Sequence, residues 1–201
     1  VVTSIDTPLK KTQENNAVSG FGYAGSDNYS AGLSMANEAI RFFDLKKGDK
    51  VMIWGLLSQP TRGLRAKAMI EVLENAGMKV DYIEISPEIN KDPTLGQSVF
   101  GAYVAKNPDL KVAFIDHGSL TATMAQIMKN LNIDKDKIGI AGFSLSPATL
   151  AGIKSGYVDI IGDAQPYFQG YFSVLQIYMS KKYGFSGFSI DTGGGFVTKN
   201  N

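Results

Sequence analysis

Apolar and polar positions along this chain alternate between two periods. Val51 to Trp54, Val80 to Ile85, Val112 to Ile115, Ile138 to Ala141 and Val158 to Ile161 are short, β-branched-rich apolar runs closed by turn residues, and they predict strands. Between them the spacing changes to that of helices. Leu120, Met124, Ile127, Met128 and Leu131 share one helical face, as do Phe168, Tyr171, Phe172, Leu175, Tyr178 and Met179. Both stripes are expected to face core. Ser26-Asp27-Asn28 supplies cap residues before the Ala31, Met35, Ala39, Phe43 face, and Thr61 precedes a Leu64, Met69, Leu73 helix that ends at Gly77. Strands separated by helices imply parallel pairing through right-handed crossovers, so the fold class is α/β: a parallel sheet with helices on both faces. The opening residues, Val1 to Asp6, read as the end of a buried strand.

Two junctions stand out. Gly139 to Pro147 and Asp163-Ala164-Gln165-Pro166 each carry the chain from an apolar run into a segment opened by proline. At such strand-to-helix junctions of open α/β sheets, polar side chains converge on whatever the protein binds, so the pair points to a small-molecule cleft.

Composition narrows the chemistry. Of the 201 residues, 44% are hydrophobic, enough for a substantial core, and 20 basic against 19 acidic residues leave a net charge of +1, which argues against a nucleic-acid partner. Cysteine is absent and there is a single histidine, which removes disulfide frameworks, thiolate metal sites and Cys nucleophiles and disfavours zinc chemistry. No apolar stretch reaches the roughly 18 residues of a membrane span, so membrane insertion is not expected. Neither Gly193-Gly194-Gly195 nor Gly20-Phe21-Gly22 has the context of a phosphate loop, and neither Ser144 nor Ser146 has a histidine beside it in sequence. Catalysis and a resident cofactor are therefore not expected.

Several motifs resemble, in order, those of the type I periplasmic sugar-binding proteins of ABC transporters, of the ribose-binding kind. They are Ser26-Asp27-Asn28 to Gly32, Lys47 to Val51, Arg65 to Met69, Asn107 to Asp116, Gly142-Phe143, Gly152 to Gly156, Gln165-Pro166, and Asp191-Thr192-Gly193 with Val197 to Asn200. The resemblance implies two α/β lobes joined by three crossings, near Gly25, Asp163 and Ile190. Residues 26–163 would form the carboxyl-terminal lobe, 1–25 and 164–189 parts of the other, and 190–201 the return crossing and final segment. It also implies that most of the amino-terminal lobe lies outside this sequence. The Phe168 to Met179 helix would then lack its partner, and its apolar face would turn to a second copy of the chain. The implied function is capture of a small sugar or sugar-like ligand for a membrane permease, in the periplasm or on the outer cell surface, there with a lipid anchor as one form. The same fold serves the effector core of LacI-type repressors and sensory input domains, which stand as the alternative.

A sugar pocket needs carboxylates, amides and guanidinium groups for hydroxyls, and aromatic rings for C–H faces. The resemblance assigns Asp6, Arg65, Phe143 and Gln165 to ligand contacts. Asp6 otherwise caps the Thr7-Pro8 bend, Arg65 otherwise pairs with a surface carboxylate with Arg62 as the alternative guanidinium, and Phe143 is otherwise core. Two positions depart from the family. Ser144 stands where the family carries an Asp that grips two hydroxyls, and Asp116-His117 stands where it carries Asn-Asp, so that either Asp116 or His117 meets the ligand. With an ordinary pKa of about 6.5, His117 would make binding pH-dependent.

Overall fold

The central strands carry apolar side chains on both faces because both faces are covered. The computed structural model describes residues 1–201. The chain runs β1 (Val2–Ile5), α1 (Lys10–Asn16), β2 (Phe21–Gly25), α2 (Asn28–Phe42), β3 (Lys50–Gly55), α3 (Gly63–Asn75), β4 (Lys79–Glu84), α4 (Pro87–Lys91) and α5 (Gly96–Lys106). It continues through β5 (Leu110–Ile115), α6 (Gly118–Asn130), β6 (Gly139–Phe143), α7 (Pro147–Ser155), β7 (Ile160–Asp163), α8 (Pro166–Tyr183), β8 (Ser189–Asp191) and β9 (Gly195–Val197). Two units separate: Val1–Asp27 with Ala164–Gly195, and Asn28–Asp163 with Phe196–Asn201.

The larger unit is built on a six-stranded sheet in the order β4-β3-β5-β6-β7-β9. The pairings of β3 with β4 and β5, of β5 with β6 and of β6 with β7 are all parallel. Alternation along β3 sends Met52 and Trp54 to one buried layer and Val51 and Ile53 to the other. The first layer gathers Phe100, Leu120, Met124 and Met128 from α5 and α6, with Trp54 stacked on Phe100 at 6.3 Å. The second gathers Met35 from α2 and Met69 and Leu73 from α3. The expected α/β architecture is thus present. Strand bounds move by one or two residues at all five predicted strands; at β3 and β4 the polar ends Lys50, Lys79 and Glu84 complete ladders that hydropathy alone leaves out.

The smaller unit holds a three-stranded sheet, β1-β2-β8, with both pairings parallel. Two expectations need correction here. β1 is an edge strand whose residues are exposed or half-buried, not a buried strand. The aromatic stripe of α8 also does not face core: Tyr167, Val174 and Tyr171 are 77%, 69% and 54% exposed, and with Leu175 and Tyr178 they line a groove of about 500 Å³ over Gly170. The opposite stripe, Gln169, Ser173, Gln176 and Ser180, is the buried one. Its reason is local. Gln176 accepts the Phe188 N–H at 2.7 Å and donates to Thr3 Oγ1 at 3.2 Å, in space left by Gly22, where a side chain would overlap the Gln176 amide.

Candidate functional site

The carboxyl ends of β3, β5 and β6 bring together Arg65, Asp116 and Phe143. Asp116 follows β5, its N–H bonded to the Trp54 carbonyl at 2.8 Å, and its side chain is fully buried. Arg65 lies in the first turn of α3, and its Nε is 2.7 Å from Asp116 Oδ1. Despite that closeness, neither Asp116 oxygen receives a well-directed hydrogen bond. The Arg65 guanidinium also lies over the Phe143 ring, 4.6 Å from its centroid, an attraction of cation and ring face that gains from desolvation. One face of Phe143 is therefore covered by Arg65, and the ring serves as a platform for that guanidinium.

Burial pushes the Asp116 carboxyl up to about 6, against the opposing pull of Arg65 and then Arg62. The buried carboxylate is thus paired but under-satisfied, the state in which an arriving hydroxyl donor gains most.

His117 caps α6: its Nδ1 accepts the Leu120 N–H at 3.3 Å. In the neutral ring this leaves the N–H on Nε2 as a donor. Burial first, then the charges of Arg62 and Arg65, hold its pKa below the ordinary histidine value. The ordinary pKa expected at His117 is thus corrected downward, by burial first and the nearby cations second, and Asp116 stands beside it as a further titrating group. Ser144 sits at the end of β6 with φ 78°, its N–H on the Gly162 carbonyl at 3.0 Å, and its side chain over Gly118, where a methyl group would come within 2.7 Å of Ser144 Cβ.

Asp6 and Gln165 belong to the smaller unit. Asp6 closes β1 with φ 61°, its N–H bonded to the Ala24 carbonyl and its own carbonyl accepting the Tyr23 hydroxyl, both at 3.1 Å. Burial, then Asp6, Asp191 and Asp27, push the Tyr23 hydroxyl up to about 12. Gln165 is the N-cap of α8 with φ 52°. Of the five non-glycine residues with positive φ, Asp44 and Asn132 follow helix ends, where that conformation is ordinary, whereas Asp6, Ser144 and Gln165 end strands at candidate positions. Strained backbone of this kind gathers at functional sites.

Sequence reasoning missed Tyr82 and Glu84. Tyr82 accepts the Leu57 N–H at 2.8 Å and donates to Glu84, which also accepts the Ser58 hydroxyl at 2.6 Å. The sequence predicts an apolar strand over Val80 to Ile85, and the polar groups Tyr82 and Glu84 within that run were the signal.

Residues 1–182 match the model of the periplasmic binding protein domain. The chain belongs to the periplasmic binding protein family. Its fold is that of the type I sugar-binding members, which are binding proteins, not enzymes. A periplasmic sugar-binding protein of an ABC transporter from Legionella pneumophila superposes with a TM-score of 0.77 at 22% identity, over 96% of this chain and 68% of that one. A solute-binding protein from Burkholderia graminis, solved in complex with D-arabinose, gives a TM-score of 0.76 at 25% identity, over 90% of this chain and 62% of that one. A xylose/arabinose-binding protein of Sulfolobus acidocaldarius is 35% identical over 115 residues, 52% of this chain. The chain spans 28% of the length of that curated relative.

Proposed function

We propose that this protein captures a neutral sugar of the pentose class and delivers it to the permease of an ABC transporter, in the periplasm or at the outer cell surface. The observation that carries this reading is the buried, under-satisfied Asp116 carboxylate held 2.7 Å from Arg65 at the ends of the sheet strands. A sugar hydroxyl is both donor and acceptor, so one group can give its proton to Asp116 while its oxygen takes a bond from the Arg65 guanidinium. An ammonium would be repelled by Arg62 and Arg65, and a fully ionised anion offers Asp116 no proton to accept. The His117 Nε2 proton adds a neutral donor, and Ser144 a hydroxyl. Asp6 and Gln165 are proposed as further ligand contacts on the strength of the family resemblance and their strained backbone. The D-arabinose complex of the Burkholderia relative and the name of the Sulfolobus one support the pentose class.

Calorimetry with D-arabinose, D-xylose, ribose, galactose, amino acids and inorganic phosphate tests the reading. One-site binding of a pentose is expected, with a stability gain of about 2.7 kcal/mol at 100 times the dissociation constant. Arg65→Ala should weaken it by about tenfold or more, since it leaves a charged partner unpaired. Exclusive binding of amino acids or phosphate, or an unaffected Arg65→Ala variant, would overturn it.

A further inference from the structure

Arg65 has two demands on it at once, a place above the Phe143 ring and a place beside Asp116, and both depend on where α3 begins. The loop from β3 to α3 sets that point. Its first residues are tied to β4: Leu57 gives its N–H to the Tyr82 hydroxyl oxygen, Tyr82 gives its proton to Glu84, and Ser58 Oγ gives its proton to Glu84 Oε1. Glu84 is thus the common acceptor of the Tyr82 and Ser58 hydroxyls, and Leu57 joins the set through Tyr82. Burial would raise the Glu84 carboxyl, but the bonds from Ser58 and Tyr82 outweigh it and hold the group below its ordinary value, so it stays an ionised acceptor.

From this anchor the loop folds back on itself. Gln59 N–H reaches the Leu56 carbonyl at 2.9 Å, and Gly63 N–H reaches the Gln59 carbonyl at 2.8 Å. Gly63 presses on Leu57 so closely that a methyl group there would stand 2.9 Å from the Leu57 carbonyl carbon and nearer still to its oxygen. Arg65 comes two residues later, its N–H on the Arg62 carbonyl at 3.2 Å. On the other side, Gly32 of α2 lies against the Arg65 backbone, where a methyl group would come within 2.9 Å of its Cα. The backbone of Arg65 is therefore held between α2 and a loop whose far end is fastened to Tyr82.

We propose that Tyr82 and Glu84 are positioning residues for Arg65: through the Leu57–Ser58 segment they hold its guanidinium in the sugar-binding geometry without touching the sugar. This rests on the reading of Arg65 and Asp116 as sugar contacts. It concerns the edge strand β4, which gives neither Arg65 nor Asp116 a side-chain hydrogen bond or ion pair, although the Tyr82 ring lies near the Asp116 carboxyl.

Three variants test it: Tyr82→Phe, Glu84→Ala and Glu84→Gln. Each is measured for D-arabinose affinity by calorimetry and for the Arg65 Nε–Hε signal by nitrogen-detected NMR without ligand. Tyr82→Phe and Glu84→Ala should each weaken arabinose by about fivefold, the worth of one net hydrogen bond, and should shift or broaden the Arg65 signal. Glu84→Gln keeps an acceptor for Tyr82 and Ser58, so it should bind like the parent and leave the Arg65 signal in place. A purely structural role would lower stability in all three without moving the Arg65 signal, and that result overturns the proposal. So does parental affinity in Tyr82→Phe and Glu84→Ala. If the parent itself binds no sugar, the functional reading fails, while the ligand-free Arg65 signal still decides whether Tyr82 and Glu84 position it.

Discussion

Replacing Asp116 by Asn removes a charge from a fully buried position while keeping the shape of the side chain. In the folded protein burial pushes the Asp116 pKa up to about 6, whereas in an unfolded chain an Asp titrates near 3.9. Because the folded value is the higher one, the native state holds this proton more tightly. Its contribution to stability is fully present below about pH 4 and is lost as the pH rises through about 6. At about 1.4 kcal/mol per pH unit of separation the full swing is on the order of 3 kcal/mol. For a chain of this size that corresponds to roughly 6–12 °C in melting temperature. Trp54 gives the assay: it is the only tryptophan in the sequence, it is buried, and it lies in the same unit as Asp116. Melts of parent and Asp116→Asn followed by Trp54 fluorescence from pH 8 to 4 should show the difference moving in the parent's favour on acidification. The other charged and titratable groups around this carboxyl, Arg65, Arg62, His117 and Tyr82, are common to both proteins and cancel in the difference. Sugar affinity should move the opposite way. A hydroxyl donates to the ionised carboxylate, so binding displaces the proton and weakens by up to about tenfold per pH unit below about pH 6. A flat difference, or one that moves against the parent on acidification, would refute the reasoning, because it would mean that attraction to Arg65 outweighs the cost of burial.

Gly32→Ala should lower the Trp54-monitored melting point, at an overpacking cost of about 1–3 kcal/mol, and should weaken arabinose, because the new methyl group presses on the Arg65 backbone; parental melting and affinity would show that α2 yields freely. The outward apolar stripe of α8 should drive self-association of the 201-residue chain, seen as a sedimentation-average mass that rises with concentration; Val174→Glu, at a position 69% exposed, should abolish it, and a monomer at the highest soluble concentration would count against the prediction.

Of the strands legible in the sequence, β3, β5, β6 and β7 are largely buried, since a continuous apolar run between turn residues has few other homes. The edge strand β4 was legible from its β-branched residues although it is only half-buried. β8 and β9, three residues each, carry no such run and form because neighbouring strands offer ladders. The period of α8 was legible too, but a period specifies a stripe and not the side that faces the sheet. Its direction is set by partners far away in sequence: Gly22 and Gly20 open room on the sheet, and Gln176 fills part of it with bonds to Phe188 and Thr3. At the site, Arg65 and Asp116 were legible as strand-end polar residues. Their direct pairing was not, because it depends on the meeting of two loops about fifty residues apart in the chain, an arrangement set by the sheet order. Phe143 was legible as an aromatic at a strand end, while its role as a platform depends on Arg65 arriving over it.

Ser144, which stands where the family resemblance implies an Asp, has a different meaning once Asp116 is placed. Considered alone, it lacks the carboxylate that the resemblance implies. In the sheet, however, β5 and β6 are neighbours, and one residue beyond their registered pair Ile115 and Gly142 stand Asp116 and Phe143. The carboxylate present here, Asp116, is buried, whereas position 144 on the neighbouring strand end is exposed. An exposed carboxylate is solvated and ionised without help. A buried one is costly unless a cation attends it, which is what Arg65 does, and Arg65 in turn needs Phe143 beneath it and a fixed start to α3. The burial of Asp116 therefore makes this carboxylate depend on a guanidinium, a ring and the β4 anchor together. It also accounts for a carboxyl poised near pH 6, where a solvated Asp at position 144 would be indifferent to pH over the same range.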